Sequence, residues 1–442
     1  MKIGLSDHFS YRKLLRFTFP SVIMMIFTSI YGVVDGFFVS NFVGKTPFAA
    51  VNFIMPFLMI LGALGFMFGT GGSALVAKTM GEGDHARAKR IFSLLIYTSS
   101  AVGVAIAVVG ILLLRPVAEL LGAEGELLQN CVTYGRIILI ALPAFMLQME
   151  FQSFFITAEK PQLGLAVTVA AGVTNMILDA LLVGVLSWGL EGAALATALS
   201  QIVGGIVPLV YFTRPNSSLL SLTKTDFDGH ALLKTCINGS SELMSNISMS
   251  VVGILYNIQL LKYAGENGVA AYGVLMYVGF VFASAFIGYS IGVAPVVGYH
   301  DGAQNHGEMK SLFRKSIVIV GACSVSMVVL ALVLASPLSH LFVGYDEALL
   351  TLTRSGFFVY AFAFLFMGYA IFSSGFFTAL NDGVTSAIIS FLRTVFFQVT
   401  AVLLLPMVWG IDGIWWSIVI AELMAVAVSA VFLWAKRGKY HY

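Results

Sequence analysis

The sequence predicts an all-α polytopic membrane protein whose twelve spans form two six-helix lobes inserted in the same direction. Three observations carry that reading. Of the 442 residues, 59% are hydrophobic and only 10% charged, with a mean hydropathy of +0.93; a soluble domain has about a quarter of its residues charged. Nearly every stretch of about 20 residues between charged loops is apolar enough to cross a bilayer as a helix. Finally, segments of the first half recur in the second at a constant spacing.

The basic lead-in with Lys2, Arg12, Lys13 and Arg16 has no small-residue cleavage site, so it reads as the approach to a retained first helix. The first span, 15–40, carries Pro20 and Asp35. Spans two and three, 50–77 and 91–114, flank the polar turn "GEGDHARAKR". "GTGGSA" within span two has no following Lys-Ser/Thr, so its small residues serve close helix packing and not phosphate binding. Span four is 131–156, and spans five and six, 163–186 and 191–213, lie on either side of Trp188. The turn-rich "TRPNSSLLSLTKTDFDGH" then separates the halves. Spans seven to twelve are expected at 236–262, 269–297, 312–335, 352–379, 384–407 and 412–435. This divides the chain into a first lobe, 1–213, a linker, 214–235, and a second lobe, 236–442.

Twelve spans put both termini on one side. That side collects eighteen of the 24 Lys and Arg residues, against five on or near the other, among them Lys45, Arg115 and Lys262. By the positive-inside rule both termini are expected in the cytoplasm. The repeat is read from "WGLEGAALATALSQ" at Trp188 and "WGIDGIWWSIVIAE" at Trp409, 221 residues apart. "FFITAEK" and "GFFTALN" keep that offset, with Thr157 matching Thr378. Two parallel six-helix repeats rocking around a central cavity are a transporter architecture.

Away from the span ends, charge within the membrane is confined to Asp35, Glu150, Asp179, Glu242, Arg393 and Glu422. Each costs about 2.5–3.5 kcal/mol at a bilayer centre, so each needs a partner or a task. Asn175 and Asp179 share a helix face. Counting from Trp188 and Gly44, Asp35, Asp179 and Thr197 all lie nine residues inside the outer helix ends, roughly 13 Å deep. Two carboxylates, an amide and a hydroxyl at one level can ligate a hard cation such as Na⁺ or carry a proton. The alternative is that Asp179 is hydrogen-bonding glue between helices. Their repeat-mates are Tyr256, Phe396 and Thr400, so an ion site would belong to the first lobe alone. Glu150 and Glu242 are candidates to line a substrate cavity with Arg393, whose partner is either Glu242 or Glu422. The 36 Phe and 18 Met residues would suit flat apolar cations, although most must face lipid or neighbouring helices.

The net charge of +2 does not suggest nucleic acid, and Cys131, Cys236 and Cys323 show no disulfide or metal spacing. No nucleophile–base set, ATP-binding motif or dinucleotide fingerprint is present, so the chain is not expected to be an enzyme or to require a cofactor.

Pro20, "VVDGFFVSNFVG", "TNMILDALLV" and the two parallel repeats together resemble the multidrug and toxic compound extrusion (MATE) transporters over essentially the whole chain. The similarity is greatest to the bacterial MepA-like and DinF-like branch. The resemblance implies a V-shaped two-lobe fold that exports organic cations and amphipaths in exchange for inward H⁺ or Na⁺. It implies a coupling site at Asp35, Asn175, Asp179 and Thr197, with Tyr134 as a further polar member, and bending of the first helix at Pro20. Glu150 stands where the family pattern implies an amide, Glu242 matches an acidic seventh-span position, and span ten has no acid. A monomer in the bacterial plasma membrane, with lipid and small cationic or amphipathic molecules as its partners, is the expectation. The alternative within the superfamily is a lipid-linked oligosaccharide flippase, which would need a more basic cavity than one arginine provides.

Overall fold

The structure, a computed structural model, describes residues 2–442; Met1, at the start of the expected first lobe, and the side chain of Lys45 lie outside the described residues. The described chain is helical, without strands. The first lobe contains α1 (Tyr11–Val43), α2 (Thr46–Gly81), α3 (His85–Leu120), the bent α4 (Gly125–Ile140 and Leu142–Thr157), α5 (Pro161–Val185) and α6 (Gly189–Thr213). In the second lobe, one run from Gly229 to Gly302 folds at Gly265 into α7 (229–264) and α8 (266–302). Then come α9 (His306–Val343), the bent α10 (Glu347–Tyr360 and Ala363–Ala379), α11 (Gly383–Trp409) and α12 (Ile411–Tyr440). Each bent pair counts as one span, so the described residues form twelve, as the apolar runs predict.

The repeat extends to local structure. Asp84 caps α3 by accepting from Arg87 N–H at 2.9 Å, and Asn305, 221 residues on, caps α9 by accepting from Glu308 N–H at 3.2 Å. α4 bends by 55° beside Ala141, and α10 bends by 49° at Ala361 and Phe362, again about 221 residues on. Gly265 has φ 66° and ψ −155°, a conformation that L side chains disfavour, and it reverses the chain between α7 and α8. The seventh helix begins at Gly229, seven residues before its apolar run, because the Asp228 carboxylate caps Ala231 N–H at 3.1 Å. The polar connection before it is not loose. Leu220 is fully buried, and Thr223 N–H donates to Ser93 Oγ of α3 at 2.8 Å.

The lobes meet at the end of the molecule that carries both termini. There α2 presses backbone to backbone on α7 and α8. A side chain at Gly81 or Gly302 would collide with the carbonyl of Tyr299 or Lys78 respectively, so only glycine fits. Asn238 donates to the Gly71 carbonyl and Asn381 to that of Ala74, both at 3.2 Å, and Lys78 pairs with Asp301 at 3.0 Å. Among the described residues no inter-lobe hydrogen bond lies beyond the midpoint contact of Ser29 with Ser284, at 3.5 Å. Past it, Gly32 and Gly36 of α1 and Gly253 and Gly273 of α7 and α8 face open space. The lobes form a V that opens away from the termini.

The chain before α1 straps this closed end. Leu5 and Phe9 are fully buried. Leu5 N–H donates to Glu159 of the first lobe at 2.7 Å, and Phe9 N–H donates to Glu308 of the second at 2.9 Å. Lys315 Nζ donates to the Phe9 carbonyl at 2.5 Å.

Candidate functional site

Three helices of the first lobe bring Asp35, Asn175, Asp179 and Thr197 together. Asp35 lies on α1 four residues before that helix widens into a π-turn at Val39–Val43. On α5 the change to π geometry occurs at Asp179 itself, whose N–H reaches the carbonyls of both Asn175 and Met176. Such irregular turns re-aim side chains and recur at functional sites. Thr197 stands eight residues into α6.

Thr197 is the hub. Its hydroxyl donates to Asp35 Oδ1 at 3.4 Å and accepts from Asn175 Nδ2 at 3.4 Å. Asp179 faces Asp35 across the site. The Tyr134 ring is buried in the first half of α4, with its hydroxyl directed toward Thr197 and the two carboxylates. Asn175 and Asp179 are both buried, whereas Asp35 keeps some exposure.

Four oxygens here have no hydrogen-bond partner: Asn175 Oδ1, both carboxylate oxygens of Asp179, and Tyr134 Oη. Buried acceptors without donors are costly in an apolar interior. A set of them converging with a second carboxylate suits a small hard cation or a proton held between the acids. No cluster of three or more His, Cys, Asp or Glu side chains that could hold a metal ion occurs among the described residues.

The remaining singled-out residues do not join this cluster. Pro20 is buried within an unbroken α1, where α8 packs against Thr18 and Ser21 through Gly292. Glu150 is 0% exposed in the second half of α4 and presents no surface to the cleft. In the second lobe Arg393 grips Glu422 in three hydrogen bonds of 2.9–3.1 Å, which settles its partner. Glu242 lies near Arg393 without bonding to it and stays half-buried.

Two neighbourhoods escape the sequence reading. Tyr31, one turn before Asp35 on α1, lies between the site and Gln148 of α4; the four-residue spacing was the available signal. At the place equivalent to Asp35 in the second lobe, Tyr256 stacks on Tyr272 with centroids 5.1 Å apart and planes within 2°. The 221-residue offset points to Tyr256, but nothing in the sequence marks Tyr272 as its companion.

The chain is similar over nearly its whole length to known proteins. The multidrug export protein MepA of Staphylococcus haemolyticus is 25% identical over 431 residues, 97% of this chain and 94% of that protein. The protein of the same name from Staphylococcus aureus is 23% identical over the same shares. A crystal structure of MATE in complex with MaL6 superposes with a TM-score of 0.93, at 22% identity over 98% of each chain. An outward-facing multidrug resistance MATE family transporter of the MOP superfamily gives 0.92, also at 22% identity, over 98% of this chain and 97% of its own. At that identity the superpositions speak for the fold. The model of the MatE family matches residues 20–181 and again 243–403, once in each lobe at nearly the spacing of the internal repeat. This chain belongs to the MatE family.

Proposed function

We propose that this protein is a secondary active exporter of organic cations and amphipathic compounds, driven by H⁺ or Na⁺ moving inward through the Asp35–Asp179 site. The observation that carries the coupling is the convergence of two carboxylates with unpartnered oxygens of Asn175 and Tyr134 around the Thr197 hydroxyl. The names of the relatives, multidrug export proteins, support the class of cargo.

With the termini in the cytoplasm of a bacterial plasma membrane, the V opens outward and its closed end faces the cell. An ion entering from outside neutralises the paired acids and removes the desolvation cost of their charge. That binding energy favours whichever lobe conformation holds the ion best, and it shifts the population accordingly. Tight ion binding and cargo binding would then belong to different conformations, so that ion entry accompanies cargo release. Pro20, lacking the N–H that stiffens a helix interior, is the place where α1 would bend. Half-buried Glu242 would supply negative charge to a cationic cargo, while Arg393 is neutralised by Glu422. That pairing leaves no free intramembrane arginine among the described residues for a pyrophosphate-linked cargo. The protein would work as a monomer, with the ion as its only inorganic partner.

The test is accumulation of a fluorescent organic cation by energised cells. Cells expressing the chain should hold less dye than control cells and gain dye when the ion gradient is collapsed. Equal dye content in both at verified expression would sink the reading.

A further inference from the structure

Glu150 is a buried acid that the coupling site does not use. It lies in the part of α4 from Leu142 to Thr157, where nearly every side chain is enclosed. It is 0% exposed, and neither carboxyl oxygen has a hydrogen-bond partner. The polar side chain facing it is Ser99 of α3, itself fully buried with an unpartnered hydroxyl. Gly69 of α2 lies against the backbone of Glu150, and no ion pair among the described residues reaches its carboxyl.

An ionised carboxylate in that setting could accept from one hydroxyl and would otherwise stand bare in an apolar interior, which costs several kcal/mol. A neutral carboxyl has one donor and an acceptor, and a serine hydroxyl has the same, so the two complement each other. The same helix already uses amides at the buried positions Gln148 and Gln152. If only neutral polarity were needed, a third amide would serve; position 150 instead carries a group that can part with a proton.

The place of Glu150 relative to the moving parts gives that proton a use. A Cβ on Gly69 of α2 would come within 3.0 Å of the Glu150 Cα, so α2 lies directly on it. Two residues further along, the other side of α2 forms the closed inter-lobe contact, with Gly71 against the backbone of Thr235 and Gly239. One helix thickness therefore separates Glu150 from the joint that opens when the lobes part. Glu150 lies seven residues before Thr157, roughly 10 Å from the termini end, whereas Asp35 and Asp179 lie in the far half.

We infer that Glu150 is a second proton-binding site of the first lobe, separate from the Asp35–Asp179 site, which holds its proton while α2 is sealed against the second lobe and exchanges it when that contact opens. Its part in export rests on the function proposed above; its protonation and exchange do not.

The experiment is infrared spectroscopy of the full-length protein in lipid vesicles, following the protonated-carboxyl band through transfer to deuterated buffer. At neutral pH the wild type should show a component that Glu150→Gln removes and that the Asp35→Asn, Asp179→Asn double variant keeps. Lys78→Ala, which breaks the inter-lobe ion pair with Asp301, should speed deuteration of that component severalfold. Glu150→Gln, if folded as judged by its thermal transition, should also shift the pH profile of dye export, while Glu150→Asp restores it in part. A spectrum unchanged by Glu150→Gln would overturn the protonation. Deuteration indifferent to Lys78→Ala, or a wild-type pH profile in Glu150→Gln, would overturn the exchange and leave a structural acid. If the wild type exports nothing under any gradient, the transport reading falls and the deuteration result still decides the role of Glu150.

Discussion

The hydroxyl of Thr197 lies 3.4 Å from Oδ1 of Asp35, joining α6 to α1 at the level where α5 delivers Asn175 and Asp179. One hydroxyl thus orients an acid and an amide from two other helices. Thr197→Ala would remove both bonds without removing charge. Its expected effect is a loss of coupling-ion affinity of roughly 10–100-fold, as when a group orienting a ligand is lost, and Thr197→Ser should restore most of it. The ion-concentration dependence of dye export reads this directly.

The Arg393–Glu422 pair should behave as a buried ion pair. The Glu422 side chain is 1% exposed and that of Arg393 16%. Breaking such a pair from one side costs about 3–5 kcal/mol, because the surviving charge is left unpaired; the partial exposure of Arg393 places this case toward the lower end. Arg393→Met alone should therefore lower the thermal transition of the purified protein clearly, and adding Glu422→Leu should recover most of the loss. Equal destabilisation by the double variant would show that packing, not charge, dominates there.

The N-terminal strap should stabilise the closed end. Glu308 accepts from Phe9 N–H at 2.9 Å and lies 2.7 Å from His8 Nδ1. Glu308→Ala is expected to cost about 1–3 kcal/mol by leaving a buried N–H unpaired, and Phe9→Ala about 3–5 kcal/mol by emptying a filled site. Both should speed reaction of a cysteine placed at Ala77, which is fully buried where α2 meets Gly298 of α8, with a water-soluble thiol reagent. Labelling at the rate of the otherwise unaltered cysteine variant would remove the strap from the account.

At the loop between α10 and α11, burial pushes the Asp382 carboxyl up, but Lys436 at 2.6 Å, Tyr440 at 2.9 Å and Thr385 together hold it below its ordinary value of 3.8. A carboxyl held low in the folded state contributes stability above its unfolded value and loses it as pH falls through the folded one. The tie between α12 and this loop should therefore survive mild acid and fail only below that ordinary value. Protease cleavage of the tail after Lys436 should rise in that acid range in the wild type and be high at every pH in Asp382→Asn.

The legible features of this molecule were those that repeat or that break a rule. Apolar runs place the twelve spans because lipid forbids unpaired backbone, and the Trp188 and Trp409 segments reveal the duplication. Counting residues from Trp188 and Gly44 put Asp35, Asp179 and Thr197 at one depth, and the structure brings them together. Depth is only one coordinate, however. The direction in which a side chain points depends on packing, which is why Glu150 was expected at a cavity and lies sealed under Gly69. Arg393 had two acids within reach, and only the three-dimensional arrangement chose Glu422. The strap was hidden for another reason: Leu5 and Phe9 are isolated apolar residues in a short polar segment, with no periodicity to betray what they cover.

The central claim, that the Asp35–Asp179 site couples an ion gradient to export, is tested most directly in lipid vesicles holding purified protein of known orientation. Efflux of a fluorescent organic cation would be followed under a Na⁺ gradient alone and a pH gradient alone, each at clamped membrane potential. The account predicts drive by at least one gradient, abolished in Asp35→Asn and in Asp179→Asn variants that remain folded. Gradient-driven efflux that persists in both variants would contradict it.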